Sequence, residues 1–289
     1  MTDRRISSLY QRNLRHVGRD DIVLGGYGGS GQSLVANVLQ ELGLNYVDPY
    51  TEEILPDGTS AGVPGHAAFR NRLSAMHRRD TGERTEGRIR HRPRFFKTHL
   101  PPEVFSHRDL SGVWLVVRDP RDALYSWYRW RADFGEEPWD RADGTFEEFI
   151  TGPDFTGRLP TEDWSLFYEE WLRRARDIGR YTVTRFEDVK RSPRSTMRRA
   201  LDDLGVDVAD DALDSALHRS SFEAMRGHED QVARSTGARA EGPRIMRRGK
   251  VGEWQEWMTP ALARPFAHDG IRATAQRFGY SLPADPQGS

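Results

Sequence analysis

Four groups of residues in this sequence have the types and spacing to hold an anion or move a proton. Between Asp21 and Leu39 a short apolar run, Ile22-Val23-Leu24, breaks into Gly25-Gly26-Tyr27-Gly28-Gly29-Ser30-Gly31 and then into Gln32-Ser33-Leu34. Glycines let backbone N–H groups converge on one point, and a helix starting behind them adds its positive dipole end. Gly28, Gly29, Ser30, Gly31, Gln32 and Ser33 are therefore candidates for an anion cradle. Lys97 and His99 follow the apolar pair Phe95-Phe96, and residues two apart on a strand project to one side, which sets an ammonium beside an imidazole able to act as a base. Arg118 closes the apolar run Val113 to Val117 and Ser126 lies two turns on, a pair able to clamp a phosphate. Arg244, Arg247, Arg248 and Lys250 gather four cations around Gly249 and Gly252. Each group also has a plainer reading: a tight turn, a structural histidine, a surface arginine, a solvated charge run. Their meeting in space decides between them.

For these side chains to meet, strands must end in one crevice, because ligands of open parallel sheets bind beyond the carboxyl ends of the strands. The pattern predicts strands at Ile22–Leu24, Phe95–Phe96, Val113–Val117 and Tyr181–Phe186. Apolar spacing at Leu34, Val35, Val38, Leu39 and Leu42 predicts a helix behind the first glycine turn, and Pro120 is placed to start another that runs to about Ala132. Further helices are expected at 146–150, 164–178, 193–204, 210–219 and 260–278, with Trp164, Phe167, Trp171 and Leu172 turned to the core. Met1 to Arg19 reads as an N-terminal extension with a surface helix. Residues 45–66 read as a long loop, 67–79 as a helix, 80–91 as a charged mobile stretch, and 226–249 as a mobile loop able to close over a ligand. The fold class is α/β, a central parallel sheet flanked by helices, in a single domain over 1–289.

Composition narrows the function. With 289 residues, 36% hydrophobic, and 8 Trp and 13 Phe, the chain can bury a large core, while 30% charged residues put much of it on a polar surface. A mean hydropathy of -0.75 points the same way. No apolar run approaches the ~20 residues of a membrane helix and no signal peptide is evident, so a soluble, cytoplasmic protein with no membrane partner is expected. The absence of cysteine excludes disulfides, thiolate nucleophiles and Cys-ligated metal. A formal net charge of -1 argues against nucleic-acid binding, so any anion site is local. Lysine is rare, found at 97, 190 and 250, in a chain whose other cations are arginines.

Taken in order, these pieces resemble the cytosolic sulfotransferases that use 3′-phosphoadenylyl sulfate (PAPS), whose fold is related to nucleotide kinases. Tyr27-Gly28-Gly29-Ser30-Gly31-Gln32-Ser33-Leu34 stands in the place of the family's phosphosulfate loop, Y-P-K-S-G-T-T-W. Lys97-Thr98-His99-Leu100-Pro101 is identical to K-T-H-L-P, whose histidine is the catalytic base. Val117-Arg118-Asp119-Pro120-Arg121-Asp122 with Ser126 resembles the 3′-phosphate motif. Arg185-Phe186-Glu187-Asp188, Ser221-Phe222-Glu223-Ala224-Met225 and Arg247-Arg248-Gly249-Lys250-Val251-Gly252-Glu253-Trp254 are similar to three further family motifs. The resemblance implies sulfuryl transfer from PAPS to a hydroxyl or amine of a small-molecule acceptor, with PAP as product and no metal. His99 and Lys97 would be catalytic. The glycine loop would hold the phosphosulfate, Arg118, Ser126, Arg247, Arg248 and the Gly249 amide the 3′-phosphate, and Phe222 the adenine. Trp127, Tyr128, Trp130 and Phe134 would suit an aromatic acceptor.

The loop departs from the family pattern: its lysine is Gly29, its threonines are Gln32 and Ser33, and its tryptophan is Leu34. Losing a donor at a developing anion typically costs about 3–4 kcal/mol, so Lys97 and the loop amides are expected to take over. Two other readings compete. One is a PAP- or PAPS-binding homologue that is inactive alone or works with a partner chain; the oligomeric state, a homodimer included, is left open. The other is a P-loop kinase or NTPase, encouraged by the G-x-x-x-x-G-x-S spacing from Gly26 to Ser33 and opposed by Gln32 in the lysine position.

Overall fold

The computed structural model describes residues 7–56, 58, 60–62, 93–135, 141–154, 157–235 and 243–284. The helix expected over 67–79 and the stretch 80–91 lie outside them. Among the described residues, five parallel strands form one sheet: β1 (Asp21–Gly25), β2 (Asn45–Val47), β5 (Arg94–Thr98), β6 (Gly112–Val117) and β7 (Tyr181–Arg185), in the order β2-β5-β1-β6-β7. A hairpin of β3 (Glu52–Ile54) and β4 (Ser60–Gly62) stands apart. The helices are α1 (Ser8–Leu14), α2 (Gln32–Glu41), α3 (Pro120–Phe134), α4 (Phe146–Thr151), α5 (Pro160–Ile178), α6 (Phe186–Arg191), α7 (Pro193–Asp203), α8 (Asp210–Arg219), α9 (Phe222–Ser235), α10 (Pro260–Ala263) and α11 (Asp269–Arg277).

Strand periodicity divides the core into two layers. Ile22, Leu24, Phe95, Trp114 and Val116 face α2, α7 and α8, whereas Val23, Phe96, Val113, Leu115 and Val117 face the aromatic side of α5, with Trp164, Tyr168 and Trp171 fully buried. Both faces of the middle strands are covered, which is why they read as unbroken apolar runs. Trp114 is buried with its indole N–H satisfied by Thr184 Oγ1 at 2.9 Å. The central place of β1, with β5 on one side and β6 on the other, makes its carboxyl end the point where the chain reverses direction across the sheet.

Four expectations need correction. Residues 45–62 are not all loop: β2 joins the main sheet, and the short strands are hidden among turn residues because three positions are too few for alternation to show. The N-terminal helix is not superficial. Leu9 and Tyr10 are buried, and Asn13 binds the backbone of Pro49, Glu52 and Ile54 at 2.7–3.1 Å, fixing that segment. The mobile loop expected from 226 is helical as far as Ser235, capped by Ser221 Oγ on the Ala224 amide; its buried face carries Met225 and Glu229, and a buried carboxylate breaks the apolar pattern. Residues 236–242 lie outside the described set. The last helix is split into α10, a 3-10 turn (Arg264–Phe266) and α11, since Pro265 cannot donate to a continuous α-ladder.

Candidate active site

The carboxyl ends of β1, β5 and β6 open into one cavity of about 1090 Å³. Gly28 to Ser33, Lys97, His99, Arg118, Ser126, Phe222, Arg247, Arg248 and Gly249 all line it, so the four groups singled out in the sequence converge.

The glycine loop is shaped by what presses on it. A Cβ at Gly28 would lie 2.3 Å from the Trp127 indole, one at Gly31 2.3 Å from the Phe186 ring, and one at Gly29 2.1 Å from the Ala123 carbonyl oxygen of α3. Gly29 and Gly31 also have φ of +79° and +86°, where a side chain is strained. The loop position that holds lysine in the family pattern is therefore closed to any side chain. Gly31 caps α2, and its carbonyl already accepts from the Leu34 amide at 3.1 Å; the amides of Gln32 and Ser33, at the start of the first turn, have no acceptor within the helix, which leaves them for an anion.

Two loop residues contribute less than expected. Ser30 spends its amide on the Tyr27 carbonyl at 3.1 Å and its hydroxyl on Tyr168 Oη at 2.8 Å; Tyr168 in turn donates to the Val116 carbonyl and accepts from the Tyr27 amide. Burial drives the Tyr168 phenol well above its usual range, so it stays protonated as the buried post of the loop. The Gln32 side chain folds under the loop and donates to the carbonyls of Leu24 and Thr98 at 2.9 and 3.1 Å. Ser30 and Gln32 brace the cradle, and Gln32 can offer an anion only its backbone.

His99 follows β5, and its Nδ1 lies 2.8 Å from the Gly26 carbonyl. A carbonyl only accepts, so Nδ1 carries the proton and Nε2 keeps its lone pair. Burial, and then the nearby Lys97 charge, lower its pKa to about 4, so the ring is neutral near pH 7. It is held between Tyr50 and Trp127, with ring centroids 5.6 and 6.1 Å away, and Tyr50 Oη accepts from its amide at 2.9 Å. Lys97 Nζ is 2.7 Å from Asp48 Oδ2. Asp48, Tyr50 and Tyr168 were not legible as site residues: Asp48 stands before a proline in a turn, and nothing in one dimension links it to Lys97.

At the other end, Arg118 is 7% exposed, lies 4.6 Å over the Phe186 ring, and donates to the carbonyls of Gly29 and Lys250 at 3.3 and 2.9 Å. Its Nε is buried without a protein partner. Asp122 receives the amides of Gly252 and Trp254, each at 2.8 Å, and so pins the final motif to α3. Burial pushes its carboxyl up, against the pull of Arg118 and those amides. Arg247 is paired bidentately with Glu253, while Arg248 binds Glu253 and Glu256. Burial would raise the Glu253 carboxyl, but the Arg247 hydrogen bond and the charges of Arg247, Arg248 and Arg118 outweigh it and hold it below the usual range. Glu229 accepts from the amides of Ile245 and Met246, and Arg226 donates to the carbonyls of Met246 and Arg247, so α9 anchors this segment. Gly249 lies flat on Phe222: a Cβ there would be 2.5 Å from the ring.

Around the histidine, Trp127 and Trp130 are stacked at 5.0 Å and line the cavity with Phe134. Tyr128 does not join them; its hydroxyl donates to the Gly144 carbonyl and its ring packs on Phe146 and Phe149.

The model of the sulfotransferase domain family matches residues 19–279. The chain belongs to this family. This sulfotransferase-family chain is 31% identical over 187 residues to mouse (Mus musculus) sulfotransferase 2A1, an alignment spanning 60% of the chain and 61% of that relative. It is 27% identical to mouse sulfotransferase 1A1 over 187 residues, covering 60% of each. The aligned part is thus about three-fifths of the length of these curated relatives. Among solved structures, mouse sulfotransferase SULT7A1 complexed with PAP has a TM-score of 0.59 at 19% identity, covering 94% of this chain and 92% of that one. A retinol dehydratase in complex with retinol and PAP has a TM-score of 0.58 at 18% identity, covering 96% and 86%. Both share the fold of this sulfotransferase-family chain. No helix among its described residues is long and apolar enough to cross a membrane.

Proposed function

We propose that the protein transfers the sulfuryl group of PAPS to a hydroxyl or amine of a small-molecule acceptor. The observation that carries this reading is the placement of His99. Its free Nε2 belongs to a ring on the wall of the same cavity as the glycine loop, while its Nδ1 is fixed by the Gly26 carbonyl of that loop. A neutral imidazole locked in this tautomer can take the acceptor proton as the acceptor oxygen or nitrogen attacks sulfur, a role worth roughly 10²–10⁴-fold in rate.

The donor carries anionic groups at two ends, and the two clusters of hydrogen-bond donors lining the cavity support a reading with one site for each. The first-turn amides of α2 and Lys97 would hold the phosphosulfate and receive the charge that develops on the 5′-phosphate as the sulfur–oxygen bond breaks. Arg118, Ser126, Arg247, Arg248 and the Gly249 amide would hold the 3′-phosphate, with the Phe222 ring against the adenine. The buried, unpartnered Nε of Arg118 is a donor still to be satisfied at that end. Trp127, Trp130 and Phe134 give the acceptor side an aromatic wall, which suits an acceptor with a planar apolar body. The kinase alternative is weakened by Gln32, whose side chain is committed to strand carbonyls and leaves no loop cation for a β/γ-phosphate.

The test is a calorimetric titration without Mg²⁺, followed by incubation with labelled PAPS and panels of phenols, alcohols and amines. Micromolar PAP binding and label transfer that His99→Ala removes are expected. Binding of Mg-ATP without PAP binding, or transfer that His99→Ala leaves untouched, would overturn the reading.

A further inference from the structure

Asp48 faces the chemistry although no motif points to it. Its Oδ2 lies 2.7 Å from Lys97 Nζ, and the two side chains are 10% and 15% exposed. The carboxylate is the stiff partner. Its Oδ1 accepts from the Tyr50 amide at 3.2 Å, its own amide donates to Glu52 Oε2 at 3.2 Å, and the segment is tied to α1 through Asn13. Lys97 is the flexible partner, an ammonium on a four-carbon stem with three donors. The Tyr50 ring connects this pair to the base, lying under the Lys97 ammonium at 5.8 Å and beside His99 at 5.6 Å. Because Gly29 is closed against a side chain by the Ala123 carbonyl, the loop cannot supply a lysine of its own, and the phosphosulfate end depends on Lys97.

We infer that Asp48 is a positioning residue, an internal counter-ion that neutralises Lys97 in the free protein and competes with the donor's 5′ anionic group for the ammonium. This rests on the donor-binding reading above. Lys97 can reach the donor only by leaving or sharing Asp48, so the carboxylate weakens ground-state binding of PAPS and of PAP alike and eases product release.

Asp48→Asn keeps the acceptor for the Tyr50 amide and the side-chain volume while deleting the charge. The expected result is PAP binding about tenfold tighter in a calorimetric titration, the size of one charge-assisted contact, and a KM for PAPS that falls more than kcat does. Lys97→Met should erase that gain, so that the double variant binds PAP as Lys97→Met alone does. A merely structural Asp48 would give equal or weaker binding in Asp48→Asn, and either result overturns the inference. If Asp48→Asn does not fold, crystals of the wild-type chain with PAP decide. Lys97 Nζ on a 5′-phosphate oxygen supports it, and an ion pair left intact with no such contact overturns it. Wild-type protein that fails to bind PAP overturns the donor reading and this inference together; wild-type binding with unchanged affinity in Asp48→Asn overturns this inference alone.

Discussion

The two ends of the cavity hold charge in opposite ways. At the glycine loop the chain contributes almost no side-chain charge: the loop is neutral, pressed between α3, Phe186 and Tyr168, and its one nearby lysine already has a carboxylate. At the Arg247 end cations are plentiful, but each is engaged in advance, Arg247 and Arg248 by Glu253 and Glu256, Arg118 by backbone carbonyls and Asp122. In the proposed donor complex the first end binds mainly by shape and backbone amides, which cannot rearrange, with Lys97 as its exchanging side chain. The second would bind by side chains that exchange one partner for another. Rigidity belongs where bonds are made and broken, because preorganised dipoles stabilise a developing charge without reorganising. Exchange suits an end that only has to grip and release.

The largest effect expected from breaking the rigid end is at its base. His99→Ala should lower kcat by about 10²–10⁴-fold with PAP affinity within a few-fold of wild type, read by single-turnover transfer and by calorimetry. Gly29→Ala comes next. A Cβ 2.1 Å from the Ala123 oxygen at φ +79° combines a left-handed residue, about 1–2 kcal/mol, with overpacking, about 1–3 kcal/mol. A lower urea midpoint and weakened PAP binding should follow, and Gly29→Lys should behave no better despite matching the family residue. A Gly29→Lys protein that bound PAP more tightly would show the loop to be pliable.

At the exchanging end, Arg247→Gln should weaken PAP about 10- to 100-fold, as for loss of a charged hydrogen bond of about 1.5–3 kcal/mol. The same substitution should barely change binding of adenosine 5′-phosphosulfate, which lacks the 3′-phosphate. Equal losses for both ligands would remove Arg247 from that role. The smallest effect is on stability. His99 titrates near 4 when folded against 6.5 unfolded, so between these values the unfolded chain binds the extra proton. Stability therefore rises with pH across that window and declines as the pH falls from 6.5 towards 4. Melting temperatures of His99→Asn should show a shallower decline there than wild type.

Much of this was legible in one dimension. The strands Ile22–Leu24 and Val113–Val117 announced themselves as short apolar runs, and glycine, lysine–histidine and arginine–serine clusters fell just after strand ends, where an open sheet binds ligands. Helix α9 was missed because its inward face carries Glu229, whose carboxylate is satisfied by the Ile245 and Met246 amides only after a distant segment has docked. Tyr128 was grouped with the acceptor aromatics because it neighbours Trp127 in sequence, yet on a helix adjacent residues point about 100° apart.

The sequence by itself determined four of the five strands of the main sheet, the chemical types at their ends and the family, because these depend on local periodicity and on residue identity. Tertiary structure alone decided that Gly29 has no room for a side chain, that Gln32 faces inward, that Tyr168 posts the loop and that Lys97 meets Asp48. Those facts depend on distances of a few ångströms between segments far apart in the chain, set by how α3, α5 and the Asp48 turn close over the sheet.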